Sequence, residues 1–370
     1  MNKPKILFPN SYRPEDVDEF RKLGKNEPVD IVEKQLKELF KIQNPGEENA
    51  QALKQFVSSF DTQNTAWVFY PWSKQLLHCL GPKELMALRT NRNKQLIEDE
   101  EQQKLAGSIV GIAGMSVGSG IALGLAYSGI SREIKIADHD EVDTSNLNRL
   151  RESLINVGKS KAELAARHIY ELDPFAEVHV FEEGVDAGNI DDFFTSPDLD
   201  LVVDEIDDFK MKVQLRLHAK KYKIPLIMFT NLGDNMLVDI ERYDLDESQR
   251  IFNGILSSDQ EHTILSKDIT KEDEKRYAVQ LVGSQYIPTN ALRSVTQIGK
   301  SLVGRPQLYS TVAVDGGFAA YLAKNILLGK PVKAGRYFIQ FDKLFDIATD
   351  EFSDNSERTQ ILQELLKGKQ

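Results

Sequence analysis

The stretch from residue 108 to residue 149 constrains the fold of this chain more than any other part of the sequence. A short apolar run is followed by a glycine-rich turn, a helix of small apolar residues and a second apolar run. Strand, tight turn, helix and strand in this order form the first half of a nucleotide-binding α/β sheet. The predicted elements are strands at 109–113 and 133–137 and a helix at 121–127.

Two glycines and one acid give this stretch its chemistry. Gly114 lets the backbone turn sharply, and Gly118 is expected to let the start of the helix approach a phosphate. Asp138 ends the second strand, at roughly the 20-residue distance where such folds place a carboxylate on a ribose. An acid that only caps a helix is the alternative interpretation of Asp138. Glycine turns of this kind serve NAD, FAD and ATP alike, so the turn alone does not identify the nucleotide.

Composition excludes several classes of protein. The chain has 370 residues, a hydrophobic content of 41% and a formal net charge of −11. The acidic balance argues against nucleic acid or an anionic membrane as a main partner. The single cysteine, Cys79, excludes an internal disulfide and a zinc site made of cysteine pairs, and we predict no zinc. No apolar run reaches the length of a membrane span and no signal peptide is recognisable, so we expect a cytoplasmic protein.

Strand and helix patterns alternate after the first stretch. Strands are predicted at 176–181, 199–204 and 224–230, with helices over 160–172 and 210–222 between them. This alternation predicts an α/β fold with a Rossmann-like, doubly wound and mostly parallel sheet. Further strands are expected at 236–242 and 337–341, and a buried helix at 311–328, where Gly316 and Gly317 suit close packing.

The pattern divides the chain into three parts. Residues 1–95 are expected to form a small α+β accessory module, and 96–345 the nucleotide-binding domain with a helical crossover segment at about 244–308. Residues 346–370 form a C-terminal tail that is amphipathic at best. In the first part, Trp67 and Trp72 are predicted to pack the module onto the main domain, and Cys79 is interpreted as a buried structural thiol.

Three charged side chains favour ATP over a nicotinamide cofactor. Breaking the bond between the α- and β-phosphates requires neutralisation of a triphosphate, which a dehydrogenase does not need. Arg149 could bind phosphate oxygens through its planar fork, and Lys161 could supply a point charge. Asp207 follows a buried strand, where a carboxylate could hold Mg²⁺ beside the phosphates.

The run IADHDEVDTSNLNR at 136–149 resembles the signature D-x-D-x-V-x-x-S-N-L-x-R of the ThiF/MoeB superfamily. These ATP-dependent adenylating enzymes, which include the ubiquitin-activating enzymes, convert a carboxylate into an acyl-adenylate. The resemblance extends over roughly residues 85–345. It implies an adenylyltransferase that uses ATP and Mg²⁺ and acts on a ubiquitin-like protein, a peptide or a small acid. The first 85 or so residues resemble the amino-terminal extension of a bacterial subgroup.

The resemblance also implies roles for individual residues. Asp138 matches the acid that binds the ribose in the family, and Lys161 in GKSK matches the lysine that binds the phosphates. Asp207 matches the magnesium aspartate. Arg92, in RTNRN, matches an arginine that reaches into the partner subunit's ATP site, which implies a homodimer. The remaining nucleotide-binding positions implied are Gly114, Ser116, Gly118, Asp140, Asn146, Asn148 and Arg149.

The chain departs from the family pattern in two places. Met115 and Ser116 stand where the family's glycine loop has further glycines. No cysteine follows Cys79, so the thioester cysteine of the crossover segment is absent. The missing cysteine implies adenylation without an enzyme thioester, while the altered loop concerns the contact with the phosphates. Two alternatives stay open: an NAD- or FAD-dependent oxidoreductase built on the same Rossmann half, and a non-catalytic partner subunit.

Overall fold

The computed structural model describes residues 3–266, 269–349, 351–353 and 355–366. Its strands form a four-stranded sheet in the order β1-β3-β4-β2 and a seven-stranded sheet in the order β11-β10-β9-β8-β5-β6-β7. The strands are β1 (Lys5–Leu7), β2 (Val29–Asp30), β3 (Thr65–Tyr70), β4 (Gln75–Leu80), β5 (Ile109–Ala113), β6 (Glu133–Ala137), β7 (Glu177–Phe181), β8 (Leu201–Asp204), β9 (Leu226–Asn231), β10 (Asn235–Glu241) and β11 (Gly335–Gln340).

The small sheet belongs to an amino-terminal module that packs on the larger unit. Its helices are α1 (Pro14–Leu23), α2 (Val32–Gln43), α3 (Ala50–Ser59) and α4 (Pro82–Arg89). The indole of Trp72 donates a hydrogen bond to Glu171 at 2.6 Å, and the Tyr70 hydroxyl lies 3.4 Å from the Tyr170 carbonyl. Trp72 therefore packs the module onto the larger unit, whereas Trp67 stacks on His78 within the module. Cys79 is buried, as its apolar neighbours predict.

The large sheet confirms the α/β prediction. Strands β7, β6, β5, β8 and β9 are mutually parallel. The apolar side chains of β6, β8 and β9, and those of β5 except Ile109, are almost completely buried because helices cover both faces, whereas the edge strand β7 is only partly buried. The chain leaves β5 toward β6 on one side and returns to β8 on the other. This reversal opens a crevice at the carboxyl ends of β5 and β8, where doubly wound folds bind ligands. Strands β10 and β11 extend the sheet in antiparallel order.

Helices on the two faces of the sheet belong to different parts of the chain. Helix α5 (Asp99–Gly107) leads into the parallel sheet, and the helices between its strands are α6 (Gly118–Tyr127), α7 (Lys161–Leu172), α8 (Ile190–Thr195) and α9 (Phe209–Tyr222). One face of the sheet packs against α6, α7 and the later helix α13 (Tyr309–Leu327). Helices α8 and α9 and the crossover helices cover the other face.

The crossover segment is helical, as predicted, and the C-terminal tail packs on it. Helix α15 contacts α11 and α12, and Arg358 is buried there, where it donates to the Ile287 carbonyl at 2.8 Å. Residues 267–268 of the crossover segment and 350, 354 and 367–370 of the tail lie outside the described residues. The helices are α10 (Ser258–Ser266), α11 (Lys271–Val282), α12 (Thr289–Gln297), α13 (Tyr309–Leu327), α14 (Phe341–Leu344) and α15 (Ser356–Leu366).

No helix within the described ranges is long and apolar enough to cross a membrane. The longest, α13, carries the apolar run that the sequence predicts as a buried helix, and its buried face packs on α6 and the sheet.

Helices α6 and α13 approach so closely that glycine is required at their contact. A Cβ added to Gly124 would lie 2.5 Å from the carbonyl oxygen of Gly316, and one added to Gly316 would lie 2.8 Å from the carbonyl of Gly120. The prediction of close packing is therefore right for Gly316. It does not hold for Gly317, which is exposed and has no atom within 4 Å of the position of its Cβ.

Gly124→Ala is expected to lower the free energy of unfolding by about 1–3 kcal/mol, because the new methyl group meets backbone that cannot move independently. The matched control is Gly317→Ala, which adds the same methyl group on α13 in open space and should stabilise the helix by roughly 0.8 kcal/mol. Chemical denaturation of both variants measures the difference. Equal effects of the two substitutions would contradict the packing argument.

Candidate active site

A cleft of about 890 Å³ opens at the carboxyl ends of the parallel strands. It lies where the sheet topology reverses, between the glycine turn after β5 and the loops that follow β6, β8 and β9. The crossover segment closes its outer side through α11 and the loop before α13. Eight of the residues predicted from the sequence line this cleft: Gly114, Ser116, Asp138, Asp140, Asn146, Arg149, Lys161 and Asp207.

Asp138 holds the glycine turn in place. Its two carboxylate oxygens accept hydrogen bonds from the backbone N–H of Met115 at 2.5 Å and of Asp140 at 2.7 Å. Gly114 has a φ of 94°, and a Cβ there would lie 2.3 Å from the Glu205 carbonyl oxygen. The turn therefore needs glycine at this position, whereas the Met115 side chain points into the core and is fully buried.

Gly118, at the start of α6, packs against β5. It does not line the cleft; a Cβ there would lie 2.8 Å from the Ile112 side chain. Gly118 thus allows α6 to pack on β5, while Gly114, Ser116 and Val117 of the turn line the cleft.

Lys161 is buried at the first position of α7, where its ammonium lies 2.7 Å from an Asp140 carboxylate oxygen. The backbone N–H of Lys161 also donates to the Asp140 carbonyl at 2.9 Å. The Ser160 hydroxyl accepts from the N–H of Glu163 and caps the helix. The two predicted nucleotide-binding residues therefore form an ion pair, and a phosphate that approaches Lys161 competes with Asp140 for it.

Arg149 also lines the cleft. One terminal nitrogen donates to Asn148 at 2.8 Å, while its Nε is buried without a hydrogen-bond partner among the described residues. Burial lowers the pKa of the guanidinium; the Asp207 carboxylate opposes this effect, and the positive charge of Arg305 adds to it. An oxyanion between these groups would satisfy the orphaned donor.

Asn146 and Asn148 support the loop that carries Arg149. The Asn146 side chain is buried and accepts from the N–H of Asp143 at 3.0 Å. Asn148 does not line the cleft, because its amide turns outward and donates to the Gln307 carbonyl at 2.9 Å. Both side chains are committed to protein contacts, which order the loop.

The acids after β8 divide into structural and accessible groups. Asp204 is fully buried and pairs with Lys212 and Arg216, and Arg216 also pairs with Glu241 at 2.8 Å. Asp208 caps α9 by accepting from the Met211 N–H at 2.7 Å. Asp207 is exposed in the cleft, and within the described part of the chain no hydrogen bond or ion pair occupies its carboxylate.

A buried polar cluster below the cleft was missed by the sequence analysis. The Asn231 amide donates to Asp315 at 2.7 Å, and the Asn231 amide oxygen and the other Asp315 carboxylate oxygen are buried without a partner in the described ranges. Glu205 approaches them from the cleft wall and accepts from the Phe229 N–H at 3.0 Å. A lone acid within the apolar sequence of α13 was the signal for this cluster.

Arg92 does not line the cleft of its own chain. It is exposed in a short 3₁₀ turn, Asn91–Asn93, at the end of α4. The neighbouring Arg89 is structural, because its guanidinium pairs with the buried Asp173 at 2.9 Å.

No cluster of three or more His, Cys, Asp or Glu side chains arranged for a metal occurs among the described residues. Mg²⁺ nevertheless keeps several waters and is often held by one or two carboxylates together with phosphate oxygens. The unengaged Asp207 carboxylate fits this type of site.

Comparison with known proteins identifies relatives of the chain. The model of the ThiF family matches residues 88–360. Uncharacterized protein MT1398 of Mycobacterium tuberculosis is 33% identical over 76% of this chain, which spans only 38% of that relative's length. The tRNA threonylcarbamoyladenosine dehydratase of Bacillus subtilis is 29% identical, over 54% of this chain and 75% of its own length. A crystal structure of the Escherichia coli tRNA N6-threonylcarbamoyladenosine dehydratase with ATP has a TM-score of 0.46 and 21% identity, covering 66% of this chain and 95% of its own.

Asp315 is expected to make stability depend on pH. Burial raises the pKa of Asp315 from 3.8 to about 7, so the folded state holds a proton that the unfolded state releases between these values. The free energy of unfolding should therefore fall as the pH rises from about 4 to 7, by an amount on the order of 4 kcal/mol. Asp315→Asn should flatten this profile, measured by urea denaturation at each pH. Asp234→Asn, an exposed site nearby, is the matched control. Parallel profiles for wild type and Asp315→Asn would refute the assignment.

Proposed function

The chain belongs to the ThiF family, and from this premise we propose that it is an ATP-dependent adenylyltransferase that converts a carboxylate into an acyl-adenylate. The observation that carries the proposal is the convergence of Asp138, Lys161, Arg149 and Asp207 on one cleft at the switch point of a parallel sheet. An oxidoreductase would need the acid after β6 but has no use for the cations or for the free acid after β8.

Different residues of the cleft are proposed to bind different parts of the nucleotide. Asp138 has one lone pair left on each carboxylate oxygen and is proposed to accept from the ribose hydroxyls. Arg149 and Lys161 neutralise phosphate oxygens from opposite sides, Lys161 after releasing Asp140. When bound at Asp207, Mg²⁺ would supply positive charge to the phosphates.

The proposed reaction is an in-line displacement at the α-phosphorus. A substrate carboxylate oxygen forms the new bond to phosphorus, and the bond to the bridging oxygen breaks, so that pyrophosphate leaves with the electron pair. The carboxylate is already ionised at neutral pH, so no general base is required. The cations stabilise the charge that moves onto pyrophosphate, and this is the main contribution of the protein.

The acyl group is proposed to pass directly to an external nucleophile. The one cysteine of the chain, Cys79, lies in β4 of the amino-terminal module and is 1% exposed. Burial raises the pKa of its thiol to about 12, so almost no thiolate forms at neutral pH. Neither its place in the fold nor its ionisation suits an enzyme thioester.

The acyl part of the substrate would lie beside the crossover segment. Apolar side chains line that end of the cleft, contributed by the start of α9, by β9 and by α11: Phe209, Met211, Phe229, Leu281 and Val282. These features support a carboxylate attached to an apolar group, such as the end of a peptide, the tail of a ubiquitin-like protein or a small acid. A carboxylate on a modified tRNA is less favoured, because the formal net charge of −11 repels nucleic acid.

We expect ATP–pyrophosphate exchange that depends on an added carboxylate, and we expect Asp207→Asn to lower it by at least about 100-fold. The reason is that the Asp207 carboxylate lies in the cleft beside Arg149 and is held by no hydrogen bond or ion pair with a described residue. The matched control is Glu272→Gln on the exposed first turn of α11, which should leave the exchange activity unchanged. Full exchange activity in Asp207→Asn would remove this residue from the mechanism. Exchange that none of the three classes of carboxylate supports would contradict the proposed function itself.

The proposed homodimer makes a sharper prediction. If Arg92 acts in the partner's cleft, Arg92→Ala and Asp207→Asn proteins should each be inactive alone. Mixing and refolding them together should restore about one quarter of the wild-type exchange, because half of the dimers then carry one intact site. Sedimentation velocity checks that the mixture is dimeric. A monomeric protein, or dimers that stay inactive after mixing, would rule out the trans arrangement.

A further inference from the structure

The loop between α12 and α13, residues 298–308, forms part of the outer wall of the cleft. It is held at defined points. Gln307 accepts from the Asn148 amide at 2.9 Å, which ties the loop to the turn that carries Arg149. Just beyond the loop, Ser310 donates to Asp234 at 3.0 Å and Thr311 to the Gly233 carbonyl at 3.2 Å, so the start of α13 is tied to the β9–β10 hairpin.

This anchoring directs one cation of the loop toward the cleft. Arg305 lines the cleft, and its charge contributes to lowering the pKa of Arg149, so the two guanidiniums lie within electrostatic range of each other. Arg305 is exposed, and no ion pair or hydrogen bond with a described residue holds its side chain. The sequence analysis did not select it, because no motif surrounds it.

The charges near Arg305 are unbalanced. Arg149 and Arg305 place two positive charges at one corner of the cleft. Asp207 is the carboxylate whose negative charge acts on Arg149 there. Lys161, by contrast, already has Asp140 as a partner. Two guanidiniums that repel each other favour binding of a multivalent anion between them, since each planar fork can bind two oxygens.

We propose that Arg305 and Arg149 together bind the β- and γ-phosphates of ATP, with Arg305 supplied in cis by the crossover loop. This inference rests on the proposed function, because it assumes that the cleft binds ATP. It adds a residue that positions the triphosphate and makes the crossover segment part of the nucleotide site. The substrate carboxylate is the other anion that this corner could bind, and the experiment distinguishes the two.

The test compares the binding of ATP and AMP by isothermal titration calorimetry. Arg305→Ala should weaken ATP binding by about tenfold and leave AMP binding within about twofold, because AMP lacks the two outer phosphates. The ATP affinity of Arg305→Lys should lie between those of wild type and Arg305→Ala, since lysine keeps the positive charge but lacks the planar guanidinium that binds two oxygens. Lys300→Ala removes a cation from the same loop outside the cleft lining and is the matched control, expected to bind ATP as wild type does.

Other outcomes overturn the inference in distinguishable ways. ATP binding that is unchanged in Arg305→Ala, with substrate-dependent exchange reduced, would assign Arg305 to the carboxylate and contradict the proposal. If ATP binding and AMP binding were weakened equally, Arg305 would not act on the outer phosphates, and this result would also contradict the proposal. A wild-type protein that binds neither nucleotide would overturn the proposed function, and this inference with it. Thermal unfolding of each variant verifies that the exposed substitution leaves the fold intact.

Discussion

The hydrogen bonds from the backbone to the Asp138 carboxylate determine the geometry of the cleft. Asp138 directly follows β6 and accepts from the N–H of Met115, in the turn after β5, so the ends of two neighbouring strands are joined by one side chain. The turn can take this shape because Gly114 adopts a positive φ and lies against the Glu205 carbonyl of the β8 loop. Three strand ends are thereby held together. A group that binds at any of these loops meets a surface that is already organised, which reduces the conformational entropy lost on binding.

Buried charges reinforce this arrangement from beneath. Arg216 is fully buried between Asp204 and Glu241, and its guanidinium stacks 3.9 Å from the centre of the Phe252 ring. Removal of one partner from such a cluster would leave an uncompensated charge in the core, at a cost of about 3–5 kcal/mol. The cluster joins β8, α9 and β10, and it holds the strand end from which the accessible Asp207 continues. Buried structural acids and the accessible Asp207 therefore follow one another within a few residues of sequence.

The sequence predicted the sheet better than it predicted the site. Every strand of the large sheet was expected from its apolar run, because burial between two helical layers demands such runs. Gly114, Ser116, Asp138 and Asp207 line one cleft, since strand ends of a parallel sheet share one edge. Gly118 and Asn148 were assigned to the nucleotide because of their place in motifs. In the structure Gly118 allows helix packing and Asn148 anchors the crossover loop.

The sequence alone determined the fold class and the family resemblance, because these depend on local patterns: apolar periodicity, a glycine turn and a contiguous signature. Only the tertiary structure decided how the charges are paired. Lys161 meets Asp140 across 20 intervening residues of loop, Asn231 meets the lone acid of α13, and Arg305 reaches the cleft from the crossover segment. Such pairings follow from the path of the chain in three dimensions. Electrostatic interactions depend on distance and burial, and neither quantity is encoded by the spacing of residues in the sequence.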